Sequence, residues 1–178
     1  MSIFSRLLGY LPLPGRPADD RAPVRPLWHR VVEIAREKAW YAQCHVADTL
    51  PGRFDAVTMV LALVLLRMEK SEALIPPSVR LTELFVEDMD GQMRQAGVGD
   101  LVVGKHMGKL MGVLGGRLGA FREALGTEDG NVLAQALVRN VTMTEGADAA
   151  PLAARVAQLA RQLDTLPDEA LLAAEIAR

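Results

Sequence analysis

Apolar residues recur every three or four positions along most of this chain, the spacing that places them on one face of an α-helix. The first series runs from Trp28 through Val31 and Ala35 to Val46, and a turn cluster, DTLPG, follows it at residues 48–52. Proline and glycine interrupt the later series in the same way and mark where helices begin and end. The pattern predicts helices at about residues 27–47, 53–70, 78–96, 100–125, 131–141, 151–163 and 168–177.

The segment from Ala56 to Leu66 is the most apolar part of the chain, with Thr58 as its only polar side chain. It is well short of the ~20 residues that span a bilayer. We therefore expect a buried helix in the core. The next series follows Pro76 and Pro77, where Ser78 is well placed to cap a helix.

The N-terminal 26 residues differ from the rest. Apolar residues at helical spacing beside a basic residue indicate a short amphipathic helix, which packs on its own domain or docks on a membrane or a partner. A proline-rich stretch at residues 11–26 follows and is predicted to be an extended linker. The chain is thus divided into residues 1–26 and a helical domain at 27–178. The candidate docking residues are Ile3, Phe4, Leu7 and Leu8.

Composition supports a helical fold and narrows the function. Half of the 178 residues are apolar and only 4% are aromatic, which provides one sizeable core and favours helix over strand. We predict an all-α fold, a single compact domain of about six to eight helices. The net charge of −2 gives no basic footprint for nucleic acid, so direct nucleic-acid binding is not expected. The single cysteine excludes an internal disulfide and fits a reducing compartment.

Six glycines lie between residues 104 and 119, in a segment otherwise typical of a helix. Each glycine in a helix interior costs about 0.8–1 kcal/mol relative to alanine. At about 100° per residue the six share one arc of about 120°. An apolar face with Met107 and Met111 lies on one side of this arc, and a basic face with Lys105, Lys109 and Arg117 lies on the other.

The glycine arc forms a smooth face, because it carries no side chains. Two explanations of this smooth face are open. A neighbouring helix of the same fold packs against it, which is the expected arrangement, or a partner chain docks on it. For the basic side chains, salt bridges with the acidic stretch at residues 83–90 are the expected arrangement, and a patch that holds a partner chain is the alternative. If a partner docks, the candidate binding residues are Lys105, Met107, Gly108, Lys109, Met111, Gly112, Gly116 and Arg117.

The sequence contains few candidates for catalytic, metal-binding or nucleotide-binding residues. Glu83, Glu87, Asp88 and Asp90 lie on one predicted helix and are the residues that a helical ligand-binding or metal-dependent enzyme would use. The Glu-x-x-His motifs of helical di-iron sites are missing, so a solvated acidic face is expected. A GxxxxGK match at residues 99–105 lacks the following Ser or Thr and the preceding strand of a phosphate loop. We expect no catalytic residue, metal or cofactor.

A set of short motifs follows in order between about residues 27 and 140. They are Asp48-Thr49 with Gly52-Arg53-Phe54-Asp55, Leu84-Phe85-Val86-Glu87-Asp88-Met89-Asp90, Met93-Arg94, Gly97-Val98-Gly99-Asp100, Lys105-x-Met107, and Gly116-Arg117 with Ala120-Phe121. In this order they resemble the ubiquinol-cytochrome c reductase chaperone family, as a bacterial member.

The resemblance implies a non-enzymatic, all-helical assembly factor that binds newly synthesised cytochrome b and supports assembly of respiratory complex III. It also implies a cytoplasmic protein at the inner face of the inner membrane, with the ribosome exit as a further expected point of contact. It supplies no catalytic residues. A generic membrane-surface adaptor that uses the N-terminal apolar residues is the remaining alternative.

Overall fold

The computed structural model describes residues 18–95, 100–127 and 129–177. Within these ranges the chain is helical, and the one extended pairing is an antiparallel bridge between Val46 and Met143. The predicted all-α, single-domain fold is confirmed. The α-helices are α1 (Arg25–Ala35), α2 (Lys38–Ala42), α3 (Leu50–Met68), α4 (Ile75–Gln95), α5 (Asp100–Leu125), α6 (Gly130–Asn140), α7 (Ala150–Thr165) and α8 (Asp168–Leu172), with 3-10 helices at Ala18–Val24 and Glu72–Leu74.

Helix α3 lies at the centre of the fold, and α1, α4, α5 and α7 pack around it. Every residue from Thr58 to Met68 is buried, as expected for a helix that is apolar on all sides. The prediction of a buried core helix is confirmed. In the described part of the chain, no helix combines the length and the apolarity that crossing a membrane requires.

The first predicted helix is in fact two. Glu37 has an extended ψ of 129° and separates α1 from the short α2. The break turns Trp40 into the core, where its indole Nε1 donates to the Ile34 carbonyl at 2.7 Å. A buried indole needs such a partner, and this tertiary contact outweighs the continuous helical spacing of the sequence.

Helix α4 begins three residues earlier than predicted, at Ile75. Pro76 and Pro77 lie in its first turn, where a missing N–H removes no helical hydrogen bond. Ser78 is therefore inside the helix, and its Oγ donates to the Ile75 carbonyl at 2.7 Å. The prediction of Ser78 as the cap is wrong.

Part of the predicted extended linker is folded on the body. The 3-10 helix at Ala18–Val24 packs on α4 and α1. Arg21 pairs with Glu87 at 2.8 Å, and Val24 is buried. The folded unit therefore begins before residue 27. The proposed docking residues Ile3, Phe4, Leu7 and Leu8 lie outside the described residues.

The carboxyl end of α3 is tied to the C-terminal helices. Arg67 Nε donates to the Leu163 carbonyl at 3.1 Å, and Nη2 donates to the Leu166 carbonyl at 2.6 Å. The same Nη2 donates to Asp168 at 2.7 Å, and Ser71 donates to the other oxygen of that carboxylate. Hydrogen bonds from Ser71 and then Arg67 hold the pKa of Asp168 below its ordinary value.

Candidate functional site

A groove of about 1370 Å³ opens where α1, α2 and the first turns of α3 face the carboxyl half of α4 and the middle of α5. Its lining is mostly apolar, and most of these side chains are partly or fully exposed. Leu50, at the start of α3, is 81% exposed although it is a large apolar residue. The apolar lining includes Val32, Leu50, Phe54, Val57, Met89 and Val113.

The wall of the groove at the start of α3 is built by the DTLPGRFD segment. Thr49 caps the helix, and its Oγ1 accepts from the Gly52 amide at 3.3 Å. A Cβ on Gly52 would lie 1.9 Å from the Ala47 carbonyl oxygen, so only glycine fits there. Arg53 Nε donates to Asp48 at 2.7 Å, and this hydrogen bond lowers the pKa of Asp48. The segment is a rigid helix start that presents Leu50 and its neighbours to the groove.

Basic side chains surround the groove. Arg36, Lys38 and Lys109 all line it, and none forms an ion pair with a residue that the structure describes. The acidic side chain Asp88 lies opposite and accepts a long hydrogen bond, 3.4 Å, from Gln92. The rim thus has an excess of unpaired positive charge.

A second cavity, of about 530 Å³, lies beside the groove, and Val113 lines both. Arg117 lines the second cavity and pairs with Asp55 through Nη2. Asp55 Oδ2 also accepts from the amide and the hydroxyl of Thr142, at 2.8 and 2.6 Å. The Arg117 guanidinium carbon lies 5.9 Å from the centroid of the Phe54 ring. This cluster joins α3, α5 and the segment after α6, and so fixes the shape of the groove.

Two nitrogens of this cluster have no hydrogen-bond acceptor among the described residues. They are Nε and Nη1 of Arg117, and both are buried. A buried donor without a partner costs about 1–3 kcal/mol. Arg117 is therefore held at a cost in stability in the wall beside the second cavity.

Helix α5 has one buried face and one open face. Leu114, Leu118 and Phe121 are buried, as their spacing predicts. Within the described part of the chain the glycine face is open at four positions, where an added Cβ would meet no atom of a neighbouring element within 4 Å. These are Gly108, Gly112, Gly116 and Gly119.

The expected packing of a neighbouring helix against these four glycines is therefore wrong. Gly116 lines the second cavity, whereas on α5 the groove is lined by Lys109, Leu110 and Val113, which lie on the face next to the glycines. Because glycine has no side chain, the glycine face of the helix lets the backbone of another helix approach closely.

The other predicted binding residues fall into three groups. Lys109 is exposed at the groove, and Met111 is half-buried. Arg117 is buried and paired with Asp55, so it is not part of an exposed basic face. The side chains of Lys105 and Met107 lie outside the described residues.

The acidic side chains on α4 have separate partners in the described structure. Glu83 pairs with Arg80 at 3.2 Å, and Glu87 pairs with Arg21. Asp88 accepts from Gln92, and Asp90 also has a partner. Among the described residues, no three His, Cys, Asp or Glu side chains come together as a metal site. The acidic stretch is thus a paired surface in the described structure, which does not favour a metal-dependent enzyme built on it.

Lys109 was among the predicted binding residues, but the groove residues on α1 and α3 were not predicted from the sequence to form a binding site. Leu50, Phe54 and Val57 come from a helix start, and Val32 comes from a helix some 20 positions earlier. A usable signal was present in the DTLPGRFD segment, where a glycine and an Asp–Arg pair occur beside two large apolar residues. Joining it to α5 needs the tertiary structure.

An open apolar groove in an all-α domain is typical of proteins that bind other proteins. The family model described as "Ubiquinol-cytochrome C chaperone" matches residues 42–178. The crystal structure of the Cbp3 homolog from Brucella abortus is similar, with 35% identity, coverage of 89% of each chain and a TM-score of 0.77. No curated protein matches the chain. The chain belongs to the ubiquinol-cytochrome c chaperone family.

This finding confirms the resemblance and extends it beyond residue 140, through α7 and α8. Membership supports a chaperone of complex III assembly rather than an enzyme.

Proposed function

We propose that this protein binds newly synthesised cytochrome b and holds it for assembly into respiratory complex III. Membership of the chaperone family supports the complex III part of this proposal. The observation that carries the binding part is the open groove of about 1370 Å³, with its exposed Leu50. A membrane protein before assembly exposes apolar helices, and an apolar groove can shield one of them from water.

The proposal places the protein in the cytoplasm, at the inner face of the inner membrane and close to the ribosome exit. A client with several membrane spans becomes available there as it is made. Cell fractionation tests the location. The full chain and a chain without residues 1–12 are compared, because the N-terminal apolar residues are the candidate membrane contact.

Pulse labelling tests the client. Cells that make an affinity-tagged chain are labelled briefly, and the tagged protein is isolated during a chase. Cytochrome b should be recovered early and should leave as complex III accumulates. A multi-span subunit of another respiratory complex, made in the same cells, is the control. Equal recovery of the two membrane proteins contradicts a cytochrome b chaperone.

A further inference from the structure

The groove is concave, and its volume is of the size that a short helix would occupy. A helix with its side chains is about 10–12 Å across and rises 1.5 Å per residue, so about three turns occupy on the order of 1,000 Å³. The groove measures about 1370 Å³. A flat bilayer surface would leave much of such a concavity unfilled, so the shape favours a helix over a membrane.

The face of α5 next to the groove is free of side chains. Lys109, Leu110 and Val113 of α5 line the groove itself, and the glycines lie on the adjoining face. Gly108, Gly112 and Gly116 recur every four residues and have open space where a Cβ would be. Residues at this spacing form one row along a helix, into which the side chains of a second helix pack. Large side chains in this row would hold the second helix further away.

The charge of the rim indicates what flanks the apolar part of the partner. Arg36, Lys38 and Lys109 line the groove and have no ion pair among the described residues. Of the two carboxylates in the lining, Asp48 is paired with Arg53, and Asp88 accepts a long hydrogen bond from Gln92. Such an excess of positive charge is complementary to acidic side chains. A helix flanked by lysine or arginine would instead meet like charges.

We propose that the groove is the docking site for a single apolar helix with acidic flanking residues, provided by the membrane-protein client. The inference rests on the proposed function and deepens it, because it names the surface and the kind of segment bound. The helix lies between the start of α3 and the face of α5 next to the glycine row, with its apolar side on Phe54, Val57 and Val113. Its acidic flanks meet Arg36, Lys38 and Lys109.

Photo-crosslinking in the full chain tests the occupant. A photoreactive residue replaces Leu50 at the mouth of the groove, and the control replaces Gln158, an exposed residue of α7 that lines neither cavity. Crosslinks from position 50 to an apolar segment of newly made cytochrome b, at least tenfold above position 158, support the proposal. Crosslinks to residues 1–17 of the same chain, to a second copy or to lipid overturn it.

A binding assay with defined probes tests the charge. Two synthetic 20-residue Leu/Ala helices are used, one flanked by glutamates and the other by lysines. The acidic probe should bind about tenfold more tightly at low salt, as two rim ion pairs would give. R36E/K109E should remove this preference. The matched control R25E/R161E changes two exposed arginines that line neither cavity, and it should keep the preference.

Equal binding of the two probes, or equal loss of preference in both double variants, overturns the charge argument. The two proposals fail in different ways. If cytochrome b is captured but crosslinks only to positions outside the groove, the groove proposal fails and the chaperone function stands. If cytochrome b is not captured but the acidic probe binds and crosslinks at position 50, the client is wrong and the docking site stands.

Discussion

A buried arginine lies at each end of the central helix α3, and the two differ in their hydrogen bonds. Arg67 belongs to α3, whereas Arg117 comes from α5 and pairs with Asp55 of α3. At the carboxyl end, Arg67 uses Nε and Nη2 for three hydrogen bonds to Leu163, Leu166 and Asp168. At the amino end, Arg117 meets Asp55 with one nitrogen and leaves Nε and Nη1 without an acceptor in the described residues. The first arginine closes its end of the fold, whereas the second lies beside two cavities.

The contrast shows where this fold is built for stability and where it is not. At Arg67, three hydrogen bonds tie the carboxyl end of α3 to the C-terminal helices. Around Arg117 the molecule keeps orphan donors, an exposed glycine row and an apolar groove, each of which costs stability. Features that lower stability and lie together at one end of a helix are typical of a binding surface, because function is a common reason for a fold to retain them.

The largest expected effect on stability comes from breaking the ion pair between Asp55 and Arg117. D55A leaves the guanidinium of Arg117 buried without its partner and removes the acceptor of two Thr142 hydrogen bonds. The variant should lose about 3–5 kcal/mol of unfolding free energy. Urea unfolding followed by circular dichroism measures it.

The double variant D55A/R117M is the control for that experiment. Removing both charges should recover a large part of the loss, because no unpaired charge is then buried. Losses that simply add would show that the two side chains do not act as a pair.

The next largest effect is expected at the glycine row, where substitution should raise the stability of the protein rather than lower it. G108A/G112A/G116A should gain about 2–3 kcal/mol of stability, because each alanine enters open space on a helix. The same variant should bind the client more weakly, because the added methyl groups narrow the approach to α5. Thermal unfolding and cytochrome b recovery are measured on the same protein. A gain in both stability and binding would contradict a role for these glycines in docking.

Gly52 is the matched control within the same molecule. G52A places a Cβ against the Ala47 carbonyl oxygen and should cost about 1–3 kcal/mol, as overpacking does. A change from glycine to alanine should therefore destabilise the protein in the first turn of α3 and stabilise it on α5. Equal signs at the two sites would contradict the difference in their surroundings.

The smallest expected effect is the pH dependence of the stability that Asp168 contributes at the carboxyl end of α3. The pKa of Asp168 is lowered in the folded state, so its contribution to stability is present above its ordinary pKa and is lost as the pH falls through the lowered value. D168N should thus be less stable than the natural protein at pH 7. The difference should shrink below about pH 4. Unfolding midpoints from pH 3 to 7 measure this, and a difference independent of pH would exclude a role for the ionised carboxylate.

The helical pattern and the apolar run at Ala56–Leu66 were enough to predict the class of fold and its central helix. The errors have local causes. Trp40 breaks the first helix because its indole has to reach a carbonyl inside the core, and Ser78 is not a cap because two prolines fit the first turn of α4. Periodicity describes one face of one helix and carries no information on such contacts.

The candidate site was predicted only in part. The shared arc of the glycines follows from the sequence, because the geometry of a single helix fixes which residues lie together. Whether that arc is covered depends on helices distant in the chain, and the same is true of Arg117. Its spacing put it on a basic face, but Asp55, which is 62 positions away, draws it into the interior.

The sequence by itself determined the helical class, the buried centre and the smooth face of α5, since each depends on spacing within one helix. Only the tertiary structure decided that the smooth face is open, that Leu50 and Phe54 lie beside it, and that one buried arginine is satisfied while the other is not. These outcomes depend on which surfaces remain after the helices pack, and no local pattern contains that information.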